Sequence, residues 1–435
     1  MLLPEGLWAD FGHGTMVAFV VAVMGAWILA ALSAPTSTTG VTLAEVLAEV
    51  SERAPQLAVQ DEVIRAARAA TDRAGAWDDP LVSFMIEDLA LARHESEPMS
   101  PMLSYRLTQP LNLFGRRRLA KESASARVQG EWAVRRRVEL DARREAAMAF
   151  YDLWMNQEMG RLIDRQVATL ERMRDSAKAQ YSAGMMMGHH DFLRAEAEIS
   201  AMRAERASLE DRSRAAATML DVLRGRPPGE LPSSVSRRSR PIPELARLLG
   251  EAAKRPEVEA AQAMRVEARA ERDLAEKMYL PMVMAGVFFQ QRLGQQPNSI
   301  GGELALTLPV FWWDKQAKEV EMAEAMVSRA ERELEAMLSM TRAEVERAYR
   351  QARAADRALS ALEREAVPRL EQVVESSQAA YESGTNNFLS LLEATLSLLE
   401  LESRRIRSAV ERDLALFELE RILGESSSPE RKGTS

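Results

Sequence analysis

Two kinds of hydrophobic pattern alternate along the chain. After Pro80, the apolar residues Val82, Phe84 and Ile86 alternate with Ser83, Met85 and Glu87. A polar stretch from Arg93 to Ser100 follows, and then Leu103, Tyr105 and Leu107 alternate with Ser104, Arg106 and Thr108. A period of two predicts strands with one apolar face. Past Pro281 the scheme returns with Val283, Ala285, Val287 and Phe289, where the opposite face is also largely apolar. Its partner is the cleanest of the four, with Leu304, Leu306 and Leu308 set against Glu303, Ala305 and Thr307. Such segments of about ten residues are expected of a membrane barrel wall, and Leu304, Leu306 and Leu308 are assigned to its lipid face. Soluble antiparallel sheets share this alternation, so the aromatic residues decide between the two. Trp77 and Tyr279 precede the first strand of each pair, while Phe114, Trp312 and Trp313 follow the second. All therefore fall at one end of the strands, as a single interfacial girdle requires. Four strands cannot close a barrel, so identical chains must share it. Two chains would give eight strands and a filled interior; three would give twelve and a lumen.

The second pattern is helical. Val167, Leu170, Arg174, Ala177 and Tyr181 advance by three and four residues in turn, and Val367, Leu370, Val374, Ser377 and Tyr381 do the same 200 residues later. That is heptad spacing and predicts coiled-coil packing along a narrow seam. From Phe114 to Tyr181 almost nothing breaks a helix, and at 1.5 Å per residue this run reaches roughly 100 Å. Pro368 interrupts the second long helix and predicts a local kink.

Both patterns belong to an internal repeat. Pro55 and Pro256 stand 201 residues apart, as do Pro80 and Pro281. Leu107-Thr108-Gln109-Pro110 matches Leu306-Thr307-Leu308-Pro309, and Tyr181-Ser182-Ala183-Gly184 matches Tyr381-Glu382-Ser383-Gly384. Each half closes on a Leu-x-Gly type of triplet, at Leu223-Arg224-Gly225 and Ile422-Leu423-Gly424. The chain thus reads as two units of helix, two strands and two long helices, at residues 42–224 and 244–424. A proline-rich linker or surface crossing at 225–243 separates them, and residues 425–435 read as a disordered tail. At the N-terminus, the uncharged run Thr15 to Leu32 followed by Ser33-Ala34-Pro35 reads as a signal peptide over residues 1–34. No Lys or Arg precedes Arg53, so the usual positive n-region is missing, which a misassigned start codon or an uncleaved anchor would explain; cleavage is the favoured reading.

Composition narrows the functional class. Of the 435 residues, 28% are charged and 46% apolar, which excludes a multi-span helical membrane protein and a disordered chain alike. A net charge of −8 gives no basic domain for nucleic acid, so no nucleic-acid partner is expected. Zero cysteines removes disulfides, thiolate metal sites, Cys nucleophiles and lipidation at an N-terminal Cys.

Taken together, the doubled unit, the strand exit Gln109-Pro110-Leu111-Asn112-Leu113-Phe114-Gly115-Arg116-Arg117 and the paired Tyr-x-x-Gly turns resemble the TolC-like outer-membrane efflux protein family over about residues 42 to 424. Asp79-Pro80-Leu81 to Leu89 and the Phe-Gly-Arg-Arg exit look most like its heavy-metal RND efflux branch. The resemblance implies a mainly α fold with a small β part. Long antiparallel coiled-coil helices would form a periplasmic tunnel, and four strands per chain a trimeric 12-stranded outer-membrane β-barrel. It further implies a homotrimer in outer-membrane lipid, a periplasmic adaptor (membrane fusion) protein and an inner-membrane RND-type pump. The adaptor would dock at a closed periplasmic tip made by Tyr181, Gly184, Asp191, Tyr381, Gly384 and Thr385. Two departures stand out. The first tip turn is four residues longer than the second, and Asn387 occupies the place of a second tip Asp.

No phosphate loop, zincin helix or nucleophile elbow occurs, so no catalytic residue, cofactor or enzyme activity is assigned. Met185, His189 and His190 combine thioether and imidazole, a chemistry that suits soft ions. An ordinary tip loop in a chain with 23 Met accounts for them without an ion, and no metal site is assigned. Arg116, Arg117 and Arg118 face inner-leaflet phosphates, cap a helix or are simply solvated. The expected function is a passive exit duct fed by a pump and adaptor. The alternatives are a drug-efflux or type I protein-secretion duct and, in another class, a membrane-anchored coiled-coil scaffold.

Overall fold

The computed structural model describes residues 41–87, 101–182, 187–229, 235–237, 240–293, 297–383 and 385–423. The expected signal peptide, the Arg93 to Ser100 stretch, the C-terminal tail, Gly184, Met185 and Gly384 lie outside these residues. The first unit runs β1 (Val41–Thr42), α1 (Leu43–Arg53), α2 (Pro55–Ala74), β2 (Leu81–Glu87), β3 (Met102–Leu111), α3 (Arg116–Ser182) and α4 (Met187–Leu223). After β4 (Val235–Ser236), the second runs α5 (Leu245–Glu251), α6 (Pro256–Glu276), β5 (Met282–Arg292), β6 (Ser299–Thr307), α7 (Gln316–Ala361), α8 (Val367–Glu382) and α9 (Phe388–Leu423).

Local chemistry sets the element ends. Thr42 and Glu45 form a capping box at the start of α1: the Glu45 amide donates to Thr42 Oγ1 at 3.4 Å, and the Thr42 amide donates to Glu45 Oε2 at 2.9 Å. Pro55 and Pro256 occupy the first positions of α2 and α6, where a missing N–H costs nothing. That explains why both prolines recur one repeat apart. Leu308 falls one residue beyond β6, so the apolar alternation outruns the paired strand. The second long helix is divided. A π-helical turn, Leu362–Ala366, separates α7 from α8 just before Pro368. Proline cannot donate to the carbonyl four residues back, and a widened turn absorbs the mismatch.

Four strands form one antiparallel sheet in the order β2-β3-β5-β6, so the two hairpins join through β3 and β5. Its edges, β2 and β6, have no partner among the described residues. The 67 residues of α3 extend about 100 Å away from this sheet. Near the sheet α3 packs against α2 and α6; farther along it packs against α4 and α9. Where α1 and α9 meet α3, the core gathers Val46, Val50, Phe150, Leu220 and Phe417. Toward the far end, Leu170, Ala177, Ile199, Leu391 and Leu392 form a second core. The heptad seam of the first repeat is buried at Leu170 and Ala177, whereas in α8 only Val367 is buried.

The segment at 225–243 is more than a crossing. Val235–Ser236 pairs in parallel with Val41–Thr42, and Val235 enters the core. Arg237 binds both carboxylate oxygens of Asp413, one of them through its Nη2 at 3.2 Å, and stacks over Trp154 at 5.4 Å. Arg240 reaches Glu420 at 2.8 Å. Sequence patterns missed this clamp because its acidic partners lie some 180 residues away.

Candidate functional site

The register divides the sheet into two chemically different faces. Cross-strand partners share a side, so Val82–Leu107–Val287 and Phe84–Tyr105–Phe289–Ile300 are rows of one face. Ala285–Leu304 and Val283–Leu306 continue it. The other face carries Ser83, Ser104, Thr108, Gln290, Ser299 and Thr307, together with Glu87, Arg106, Arg292 and Glu303. Those four are all the charged residues of the four strands, and every one is on the same side. Among the described residues nothing covers the apolar side: Ile300 is 82% exposed, Phe84 72% and Leu304 67%. A continuous apolar surface of this extent needs a nonaqueous partner. Leu306 belongs to it, while Leu308 is exposed just past the strand end.

Aromatic residues mark two levels on this sheet. At the end nearer the helices, Tyr279 and Trp312 have ring centroids 6.3 Å apart, and Trp312 and Trp313 are 5.9 Å apart, edge to face. Trp77 lies at the same end under the Arg117 guanidinium at 4.2 Å. All four aromatics are exposed. Toward the opposite end, Phe84, Tyr105 and Phe289 form a second row, with centroids 5.5 and 6.2 Å apart. Sequence reading missed this row because each ring sits inside a regular alternation rather than at its end.

Between sheet and helices, the three successive arginines divide their tasks. Arg116 donates to the carbonyls of Lys277 at 2.7 Å and Leu280 at 2.6 Å, and Arg117 donates to that of Gly75 at 2.6 Å. Each thereby satisfies carbonyls where the short helix of one repeat ends, so capping, not lipid phosphate, occupies them. Arg118 pairs with Glu122 at 3.3 Å. The turn that aims them passes through Phe114 and Gly115 with φ of +62° and +78°, a conformation that a phenylalanine adopts only under constraint.

At the far end, Tyr381 packs against Phe388 with centroids 6.1 Å apart, and Phe192 of the first repeat joins the same cluster. Thr385 donates to the Ala380 carbonyl from its amide at 2.9 Å and from its hydroxyl at 3.1 Å. Asn387, standing where an Asp was expected, caps α9: its Oδ1 accepts from the Ser390 amide at 2.8 Å. Asp191 is not a cap but lies inside α4. Burial raises its pKa, and the charges of His190 and Arg194 partly oppose that. His189 and His190 are exposed, and Tyr181 ends near the close of α3. Among the described residues no three His, Asp or Glu side chains are grouped to hold a metal ion. Nor is any described helix long and apolar enough to cross a membrane.

An exposed apolar sheet face with an aromatic level at the end nearer the helices and a second row within the wall, carried on a helix of about 100 Å, is the architecture of an outer-membrane channel chain. The sequence model described as outer membrane efflux protein matches residues 46–226 and 250–425, and the chain belongs to that family. The fold is shared with the outer-membrane channel OprN at 21% identity and a TM-score of 0.74, covering 88% of this chain and 89% of that one. It is shared with CusC at 15% identity and 0.72, covering 90% and 95%. The open-state MtrE outer membrane channel of Neisseria gonorrhoeae gives 19% identity and 0.70, covering 88% and 89%. No curated protein sequence matches the chain. The four strands are accordingly its share of an outer-membrane barrel, and the helices form the periplasmic part of an efflux channel.

Proposed function

We propose that three copies of this chain close a twelve-stranded barrel and form the passive exit duct of a tripartite efflux system. An inner-membrane RND-type pump and a periplasmic adaptor would deliver its substrates. The observation that carries this is the sheet itself: four strands, two open edges, one apolar face and all strand charges on the other. β6 runs antiparallel to β2, so β6 of one copy can pair with β2 of the next and continue the ladder around a ring. Twelve strands leave an aqueous lumen for the charged face, which eight would not. Each structural repeat, 42–224 and 244–424, would supply one hairpin to the wall and one helical pair to the tunnel.

Adaptor docking is assigned to the far end, around Tyr181, Gly184, Asp191, Tyr381, Gly384 and Thr385. Heavy-metal ions are the substrate class we favour, on the likeness of the Phe114-Gly115-Arg116-Arg117 exit to that branch and on the Met185, His189 and His190 tip sequence. Crosslinking of detergent-purified protein should trap trimers, and planar bilayers should show conductance. A functional monomer or dimer would refute the assembly. Deleting the gene together with a neighbouring pump gene should sensitise cells to soft metal ions; sensitivity to drugs alone would move the substrate class.

A further inference from the structure

On the polar face of the sheet, Arg106 of β3 and Glu303 of β6 are not neighbours, since β5 lies between them. Their side chains nonetheless meet, Arg106 Nε standing 3.0 Å from a Glu303 carboxylate oxygen. Arg106 itself pairs with Phe288 of β5, and two glycines lie on the line from there to Glu303. Gly286 is the residue of β5 directly beside Glu303, and a Cβ there would come within 2.9 Å of the Leu107 carbonyl and 3.1 Å of Thr108 Oγ1. With no side chain at that point, the Arg106 side chain can span the strand. Gly301 pairs with Phe288, and a Cβ on it would sit 2.4 Å from the tip of that ring. The ring therefore lies down over the Gly301 backbone instead of standing out from the wall. Both side chains stay partly exposed, 41% for Arg106 and 31% for Glu303, although the Glu303 Oε2 that meets Arg106 is itself buried. The other two strand charges, Glu87 and Arg292, are end residues of their strands.

We infer that the Arg106–Glu303 pair is the charge collar of the barrel lumen. It keeps the wall electrically neutral so that cationic and anionic cargo leave with equal ease. The inference rests on the reading of this face as the lumen of a three-chain barrel. Three pairs would then share one level, and losing either partner would leave three like charges around the exit path. Lumenal charges govern selectivity because the confined water screens them poorly, whereas the paired state presents only a dipole.

The chain contains no cysteine, so Ala305→Cys, two residues from Glu303 on the same face, gives a unique reporter. On this reading reagents added to intact cells enter from the outer end of the barrel, independently of the periplasmic end. The measurement is its rate of modification by a cationic and by an anionic methanethiosulfonate, alongside trimer yield. With the pair intact, the ratio of the two rates should stay near that of a free thiol. Arg106→Gln should shift it toward the cationic reagent by on the order of tenfold, and Glu303→Gln toward the anionic one by a similar factor. The double variant should return it. Ratios that move less than twofold, or in the same direction for both single variants, overturn the collar and leave the pair as wall structure. A different result bears on the barrel itself: if Ala305→Cys is inert to both reagents while Leu304→Cys reacts, the face assignment fails and the collar with it.

Discussion

Single residues matter most here where the backbone is forced into an unusual shape. Gly225 closes α4 with φ of +66°, while its amide donates to the Val222 carbonyl at 3.0 Å and the Arg226 amide to that of Asp221 at 2.8 Å. This is a Schellman cap, and it lies so close to the end of α1 that a Cβ would stand 2.8 Å from the Arg53 carbonyl. Gly225→Ala should therefore cost about 2 kcal/mol from backbone strain alone, read as a lower midpoint in denaturant-induced loss of helical signal. Asp191 offers a pH test. Its carboxyl is raised above the ordinary aspartate value, so between those two pKa values the folded chain holds more proton than the unfolded one. Stability should fall as pH rises through that window, and the penalty is complete above the raised value. Asp191→Asn should abolish this slope, measured by thermal melting across mildly acid pH. A slope unchanged by the substitution would assign it to other groups.

At the scale of elements, the strands and the long helices obey different constraints. A strand in the barrel presents alternate residues to lipid and to water, so adjacent positions should respond oppositely to the same charge. Leu306→Arg places a guanidinium on the exposed apolar face one residue from the strand end and should cost about 1 kcal/mol of insertion, whereas Thr307→Arg should mainly alter conductance. Equal insertion defects, measured as heat-modifiable protein in the outer-membrane fraction, would contradict the two-faced sheet. The helices tolerate polar faces but depend on their seams. In the first repeat α3 passes through its whole length unbroken, whereas the second repeat breaks at the π turn before Pro368. The two halves of this duplicated chain thus differ in their longest helix.

For the whole molecule, the joint between the repeats decides whether one body or two is made. Asp413, 3% exposed, accepts from Arg237 and from Arg412 Nη1 at 3.1 Å, while Arg412 also reaches Asp356 at 3.0 Å and the Arg240 carbonyl at 2.7 Å. This network ties the inter-repeat segment to α9 and α9 to α7. Asp413→Ala would remove the shared acceptor; Arg412 keeps Asp356 and the Arg240 carbonyl, so the loss falls mainly on Arg237 and is worth about 1–3 kcal/mol. Limited proteolysis should then cut within residues 225–243 at least tenfold faster, with the β-barrel still resistant. Unchanged cleavage would show that the parallel pairing of Val41–Thr42 with Val235–Ser236 suffices.

Much of this architecture is local, and local patterns are what a sequence displays. The four strands, their faces, the aromatic residues nearest the helices and the length of α3 follow from period, spacing and the absence of breakers. The repeat showed why Pro55 and Pro256 recur, and the efflux family was legible from the order of these features. Other features depend on partners far apart in the chain. The order β2-β3-β5-β6, the Arg116 and Arg117 caps on carbonyls of other segments, the clamp on Asp413 and the meeting of Arg106 with Glu303 all required the folded chain. Period and propensity fix which way a side chain points relative to its own element. Which atom it then meets across a bundle or a sheet is set by register and packing, and those are properties of the tertiary structure.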